Sequence, residues 1–185
     1  MLVMTDRWTE QYPEAHIGML VLRNVVNPAH NPQLDEVKTR IEHTLRSQFA
    51  QGGKTHIRSL SVMLAYKDYY KQFKKTYHVL QQVESVALKN RAIPSVAALV
   101  EAMFMAELKN MLLTAGHDLD MLVSPISINV SDGSETYTRI NGEEQGLKTG
   151  DMYITDQYGV MSSIIYGPDQ RTQITAATTN VMYTV

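Results

Sequence analysis

A chain of 185 residues, 44% hydrophobic and 19% charged, has the composition of a folded domain and excludes global disorder. With no cysteine, disulfides, thiolate metal sites and cysteine nucleophiles are excluded, and a reducing compartment fits. A formal net charge of -2 and a pI near 6.3 exclude a global electrostatic footprint for nucleic acid, so any RNA contact must use a local patch.

The opening segment, MLVMTDRWTEQ, is too short and too charged for a signal peptide or a membrane span, so the expected address is the cytoplasm, without membrane partners. The length suits one domain over residues 1–185. Residues 17–22 form an apolar run and a first expected strand, and the loop NPAHNP follows. Asn31 should cap a helix that has Pro32 in its first position. Leu34, Val37, Ile41, Leu45 and Phe49 fall on one stripe until Gly52 and Gly53 end it. Two further helices are expected over residues 60–75 and 79–89.

Residues 95–113, SVAALVEAMFMAELKNMLL, are apolar nearly all round and read as a buried helix capped by Ser95. Past Ser124-Pro125 the pattern turns to short runs at 126–130, 136–140, 152–155, 160–166, 172–175 and 180–185. Turn sequences such as SDGSE and NGEEQG separate them, so these runs read as strands. Helices followed by strands make the expected fold α+β, with N-terminal helices packed on a mostly antiparallel core. The last apolar run meets the C-terminus with no stop signal, which is the pattern of a chain cut within or just after a strand.

Several groups can carry chemistry. TAGHDLD sets His117, Asp118 and Asp120 in an expected loop after the buried helix, offering a base and carboxylates. The alternative is that the two aspartates cap the turn through backbone amides. The H-D-x-D spacing matches no zinc or calcium pattern, so no metal is expected. Glu101 lies inside the apolar helix, either as a pocket residue or as a buried structural acceptor; Glu107 is expected to be solvated. Asp156, Asp169, Arg171 and Thr172 can bring a charge pair to a pocket mouth.

No G-x-S-x-G elbow is present, so a serine hydrolase is not expected, and with no G-x-G-x-x-G or G-x-x-x-x-G-K no nucleotide cofactor is expected. The densest positive charge is YKDYYKQFKKTYH, with Lys67, Lys71, Lys74 and Lys75 as RNA-binding candidates. Tyr66, Tyr69, Tyr70 and Phe73 have the spacing of a core-facing stripe, although exposed aromatics there would allow a homo-oligomer.

Four segments form one ordered pattern: IPSVAALVEAMF, AGHDLDML, TGDMYITDQYGV and RTQITAATTNV. In order and spacing, over about Tyr66 to Val185, they resemble the free-standing relatives of the phenylalanyl-tRNA synthetase beta-chain editing domain, called B-three/B-four. The resemblance implies a compact α+β unit with a β-sandwich-like core. It also implies a ligand pocket drawn from Met103, Phe104, Ala115, Tyr166 and Gly167.

In the synthetase that domain hydrolyses mischarged tyrosyl-tRNA. Its threonine-asparagine pair falls here at Met103 and Phe104, its histidine at Ala115 and its glutamate at Thr184, so nearly every polar editing group is replaced. His117 stands two residues from the family's histidine. The implied function is therefore a binding module for tRNA or an amino-acid-like ligand, without tyrosyl-tRNA editing. The alternative is an aminoacyl-tRNA or small-ester or amide hydrolase using His117, with Asp118 and Glu101 beside it.

Overall fold

A computed structural model describes residues 2–185, and the chain divides into two compact units. One is built from residues 2–26 together with Ala115–Val185, the other from Asn27–Thr114. The chain is α+β, with six α-helices among the described residues and both mixed and antiparallel sheets. No helix among the described residues is long and apolar enough to cross a membrane.

The first unit carries the sheets. It begins with β1 (Leu2–Met4), α1 (Asp6–Gln11) and β2 (Met19–Leu22), and resumes after the second unit with β3 (Ala115–Asp118) and a 3-10 turn, Leu119–Met121. Then come β4 (Ile126–Val130), β5 (Thr136–Thr138), β6 (Glu144–Gly146), β7 (Met152–Asp156), β8 (Gly159–Ser163), β9 (Gly167–Pro168) and β10 (Val181–Thr184).

A five-stranded sheet runs β1-β4-β7-β8-β9, with β1 parallel to β4 and the other pairs antiparallel. A three-stranded antiparallel sheet runs β2-β10-β3, and β5 pairs with β6. Strand β4 alternates as a half-buried strand must: Ile126, Ile128 and Val130 are buried while Ser127 and Asn129 are half-exposed. Ile126 packs with Ile154, Met161 and Met182. Fully burying a side chain such as Met161 contributes about 1.5–3 kcal/mol. Trp8 packs against Ile128 and Val130 and donates its indole N–H to the Met152 sulfur at 3.2 Å, which satisfies its polar edge.

The second unit is helical: α2 (Pro32–Phe49), α3 (Gly53–Ser59), α4 (Ser61–Gln72), α5 (His78–Lys89) and α6 (Ala98–Asn110). These helices stand between β2 and β3, after the strand expected at residues 17–22 and before the later strands; β1 and α1 precede them. Asn31 caps α2 by accepting from the Gln33 amide at 3.0 Å, with Pro32 in the first turn, as the sequence requires. The stripe from Leu34 to Phe49 is at least half-buried throughout. Tyr69, Tyr70, Phe73 and Tyr77 are core residues, and the rings of Tyr66 and Tyr77 stack with centroids 4.1 Å apart.

Several sequence readings need correction. Helix α6 starts at Ala98, not Ser95, and the Ser95 hydroxyl instead accepts from Lys38 Nζ at 2.7 Å. It is not buried all round either, since Ala102, Ala106 and Lys109 are exposed. Glu107 is buried rather than solvated: Oε2 accepts from the Thr114 amide and hydroxyl, each at 3.0 Å, and burial pushes the carboxyl pKa up. Residues 172–175 form no strand, and the expected loop at His117 is strand β3 followed by the 3-10 turn.

Candidate functional site

In the first unit β3 pairs with β10, setting His117 opposite Met182, and the imidazole is fully buried. Its Nδ1 lies 2.7 Å from Thr172 Oγ1. That hydroxyl donates to the Asp169 carboxylate, so it accepts from His117 Nδ1–H, and Nε2 becomes the nitrogen with the lone pair. Nε2 has no hydrogen-bond partner. Burial, reinforced by Arg171 and opposed by Asp156, pushes His117 down to about 4, so the ring is neutral at pH 7.

Arg171 ties the rest together. Its Nη1 and Nη2 donate to Asp156 Oδ2 and Oδ1 at 3.0 and 2.8 Å, a two-pronged pair, and Nε lies 3.7 Å from Asp169 Oδ2. Asp156 also accepts from the Val123 and Tyr158 amides, and Arg171 stacks over the Tyr158 ring at 5.5 Å. Burial pushes the Asp169 carboxyl up while Thr172 and Arg171 hold it down. The four polar residues Asp156, Asp169, Arg171 and Thr172 therefore form one network with His117.

Asp118 and Asp120 turn away from that network. Asp118 Oδ1 accepts from the Asp120 amide at 3.1 Å, capping the 3-10 turn, and Oδ2 accepts from the Thr178 hydroxyl at 2.6 Å. Asp120 accepts from Asn180 Nδ2. Gly167, at φ +83°, lends its carbonyl to the Tyr137 hydroxyl at 2.7 Å, and Tyr166 packs against Tyr137, Leu147, Tyr153 and Val160. Ala115 is half-buried at the start of β3.

Glu101, Met103 and Phe104 belong to the helical unit, so the hypothetical trio of His117, Asp118 and Glu101 is divided between units. Glu101 is buried. Oε2 lies 3.2 Å from Lys38 Nζ, itself buried and 3.0 Å from Asp35, and Oε1 accepts from the Val96 amide at 2.8 Å. Its partners hold the residues that lead into α6 against α2.

Lys67, Lys71, Lys74 and Lys75 are all exposed, on α4 and in the turn after it, while the aromatic residues between them face inward. Lys67 and Lys71 share a face at i,i+4 spacing. Lys74 takes the left-handed conformation, at φ 56°, and turns the chain after α4.

Residues that the sequence reading passed over line a cavity of about 380 Å³ in the helical unit, between α5, residues 91–94 and α6. They include Gln82 and Arg91, with Phe104 on the α6 wall. The available signal was a Gln-Gln pair and an arginine flanking the apolar positions of α5.

Among the described residues no group of three or more His, Asp and Glu is placed to hold a metal ion. No protein-family model and no curated protein matches the chain. Among solved structures it is similar to an N-terminal fragment of the phenylalanyl-tRNA synthetase beta-subunit from Pyrococcus horikoshii, at 17% identity and a TM-score of 0.42, over 46% of this chain and 33% of that one.

Proposed function

We propose that the chain is a non-catalytic module that binds an RNA backbone, with a tRNA as the partner to test first and the helical unit as the contact surface. One observation carries this reading: the partition of charge. Asn27–Thr114 holds twelve Lys and Arg against seven Asp and Glu, a formal +5. The rest of the chain holds five against twelve, a formal -7. Adjacent basic and acidic blocks are a sequence signature of nucleic-acid contact, because phosphate binding rests on local cation density rather than net charge.

The buried carboxylates Glu101 and Glu84 are matched one for one by Lys38 and Arg58, so these pairs leave the +5 of the helical unit unchanged, and Glu107 is buried with its carboxyl pushed up. Lys67, Lys71, Lys74 and Lys75 remain exposed as one group. Four phosphate contacts correspond to a logarithmic salt dependence of about 3 to 4.

The hydrolase alternative has less support. A general base must reach substrate within hydrogen-bond distance, and His117 is fully buried, with Nδ1 committed to Thr172. Selecting tyrosine would also need a buried polar partner for the phenol, and Met103, Phe104 and Ala115 offer none.

The test is tRNA binding measured across salt concentrations, for wild type and for the variant with all four lysines replaced by glutamine. The variant should bind more weakly at low salt, with the slope reduced by about 3. An unchanged slope would move the RNA surface elsewhere, and no wild-type binding at ~50 mM salt would remove the reading. In the same samples, tyrosyl-tRNA should not be deacylated above background.

A further inference from the structure

Residues 66–78 of the helical unit hold Lys67, Lys71, Lys74 and Lys75 against a single carboxylate, Asp68. Lys67 and Lys71 follow one another along one face of α4, about 5–6 Å apart at Cβ. The Lys74 amide donates to the Lys71 carbonyl at 3.0 Å and the Lys75 amide to the Tyr70 carbonyl at 3.1 Å, so the turn after α4 keeps both residues beside the end of that helix. Among the described residues no ion pair holds Lys67, Lys71 or Lys74.

The aromatic residues interleaved with these lysines are spent on one another. Tyr66 lies flat on Tyr77, with centroids 4.1 Å apart and planes 9° from parallel, and its hydroxyl accepts from the Leu113 amide at 3.0 Å. Tyr69 meets Phe73 at 5.2 Å, and Tyr70 meets Tyr77 at 5.2 Å. The Tyr77 hydroxyl donates to the Met111 carbonyl at 3.2 Å. Tyr66 is half-buried and the other four are buried. Elsewhere in Asn27–Thr114, Phe49 is buried and Phe104 half-buried. The helical unit thus presents a group of cations with no exposed Phe, Tyr or Trp ring among them.

We infer that the lysine surface takes the backbone of a double-stranded RNA stem rather than an unpaired strand, and takes it without regard to base sequence. The inference rests on the RNA-binding reading above and names the form of RNA. Recognition of unpaired RNA draws on bases stacked on aromatic side chains, each worth about five-fold or more in affinity, and here those rings are already stacked on one another. What remains is charge, and charge favours the duplex, whose phosphates are denser. Four contacts give a logarithmic salt dependence of about 3.6 on a duplex and about 2.8 on a single strand. That gap multiplies to about ten-fold between about 1 M and ~50 mM salt. Phosphate contacts carry no sequence information, so the preference is for form alone.

A blunt RNA duplex of about 16 base pairs and oligouridylate with the same number of phosphates, each titrated into wild type at ~50 mM salt, separate the two forms. The duplex should bind about ten-fold tighter, and exchanging its base sequence at fixed length should change the affinity by less than about two-fold. The double variant Lys67→Gln with Lys71→Gln, both positions being exposed, should keep the wild-type melting temperature and lower the duplex salt slope by about 1.8. Oligouridylate binding as tightly as the duplex, or a duplex affinity that follows base sequence, overturns the inference and leaves RNA binding in place. A duplex slope unchanged in the double variant overturns the assignment of the stem to this face. Binding to neither form removes the RNA reading itself, and the inference with it.

Discussion

The helical unit and the sheet unit carry opposite formal charge and differ in what holds their buried carboxylates. The helical unit is formally +5 and buries its interior carboxylates largely in ion pairs, Glu101 with Lys38 and Glu84 with Arg58, leaving lysines on the outside. The sheet unit is formally -7, and its interior joins one ion pair, Asp156 with Arg171, to a relay of hydrogen bonds: His117 to Thr172 to Asp169, and Ser163 to Asp151 at 2.5 Å. Net charge, which looked like a property of the chain, is a property of each folded unit. At -2, the sum hides two units of opposite formal charge.

The comparison can be broken first at the buried ion pair. Glu101→Ala leaves Lys38 in the interior with only Asp35 and Ser95, and should cost about 3 kcal/mol in chemical denaturation. A loss below about 1 kcal/mol would mean that the helical unit treats this pair as surface charge. The corresponding test of the sheet unit uses pH. A histidine whose folded pKa lies below its unfolded value binds fewer protons folded than unfolded between the two. Stability is therefore kept above pH 6.5 and falls as pH drops toward 4.

The His117 contribution to that loss should be about 2 to 3 kcal/mol, and it should vanish in His117→Asn. Glu107 and Asp169 act with the opposite sign, because carboxyls with raised folded pKa values favour the folded state as pH falls. The difference between wild type and His117→Asn removes Glu107, which belongs to the other unit, and parallel pH profiles would show that His117 does not stay neutral. The smallest effect belongs to Asn31→Ala, which deletes the α2 cap and should cost about 1 kcal/mol, read as a lowered denaturation midpoint.

What the sequence revealed follows from which interactions are local. The start of α2 was readable because Asn31, Pro32 and the apolar stripe all act within a few residues of one another. Strand β4 was readable at both ends because its alternation is complete. Strand β3, spelled AGHD, has neither alternation nor β-branched residues; it exists because β10 pairs with it. Residues 172–175 carry strand-like composition, but the Thr172 hydroxyl is committed to Asp169 and His117 and the segment stays irregular.

The candidate polar residues were mostly visible as residue types, yet their grouping was not. Asp156 and Arg171 meet as a bidentate pair across 15 positions, while Glu101 finds Lys38 on another helix. The cavity was out of reach for the same reason, since its walls come from segments that only folding brings together.

The pairing of β2 with β10 has a consequence for the order of events during synthesis. The Asn24 amide donates to the Asn180 side chain 156 residues away, and the Gly18 and Val185 backbones exchange two hydrogen bonds. At about 5 to 20 residues per second, β2 leaves the ribosome on the order of ten seconds before its partner exists. All five helices of Asn27–Thr114 emerge within that interval, and their contacts are mutual. Met19, Leu20 and Val21 meanwhile have no strand to pair with, which opens the nascent chain to wrong pairing and to chaperone capture.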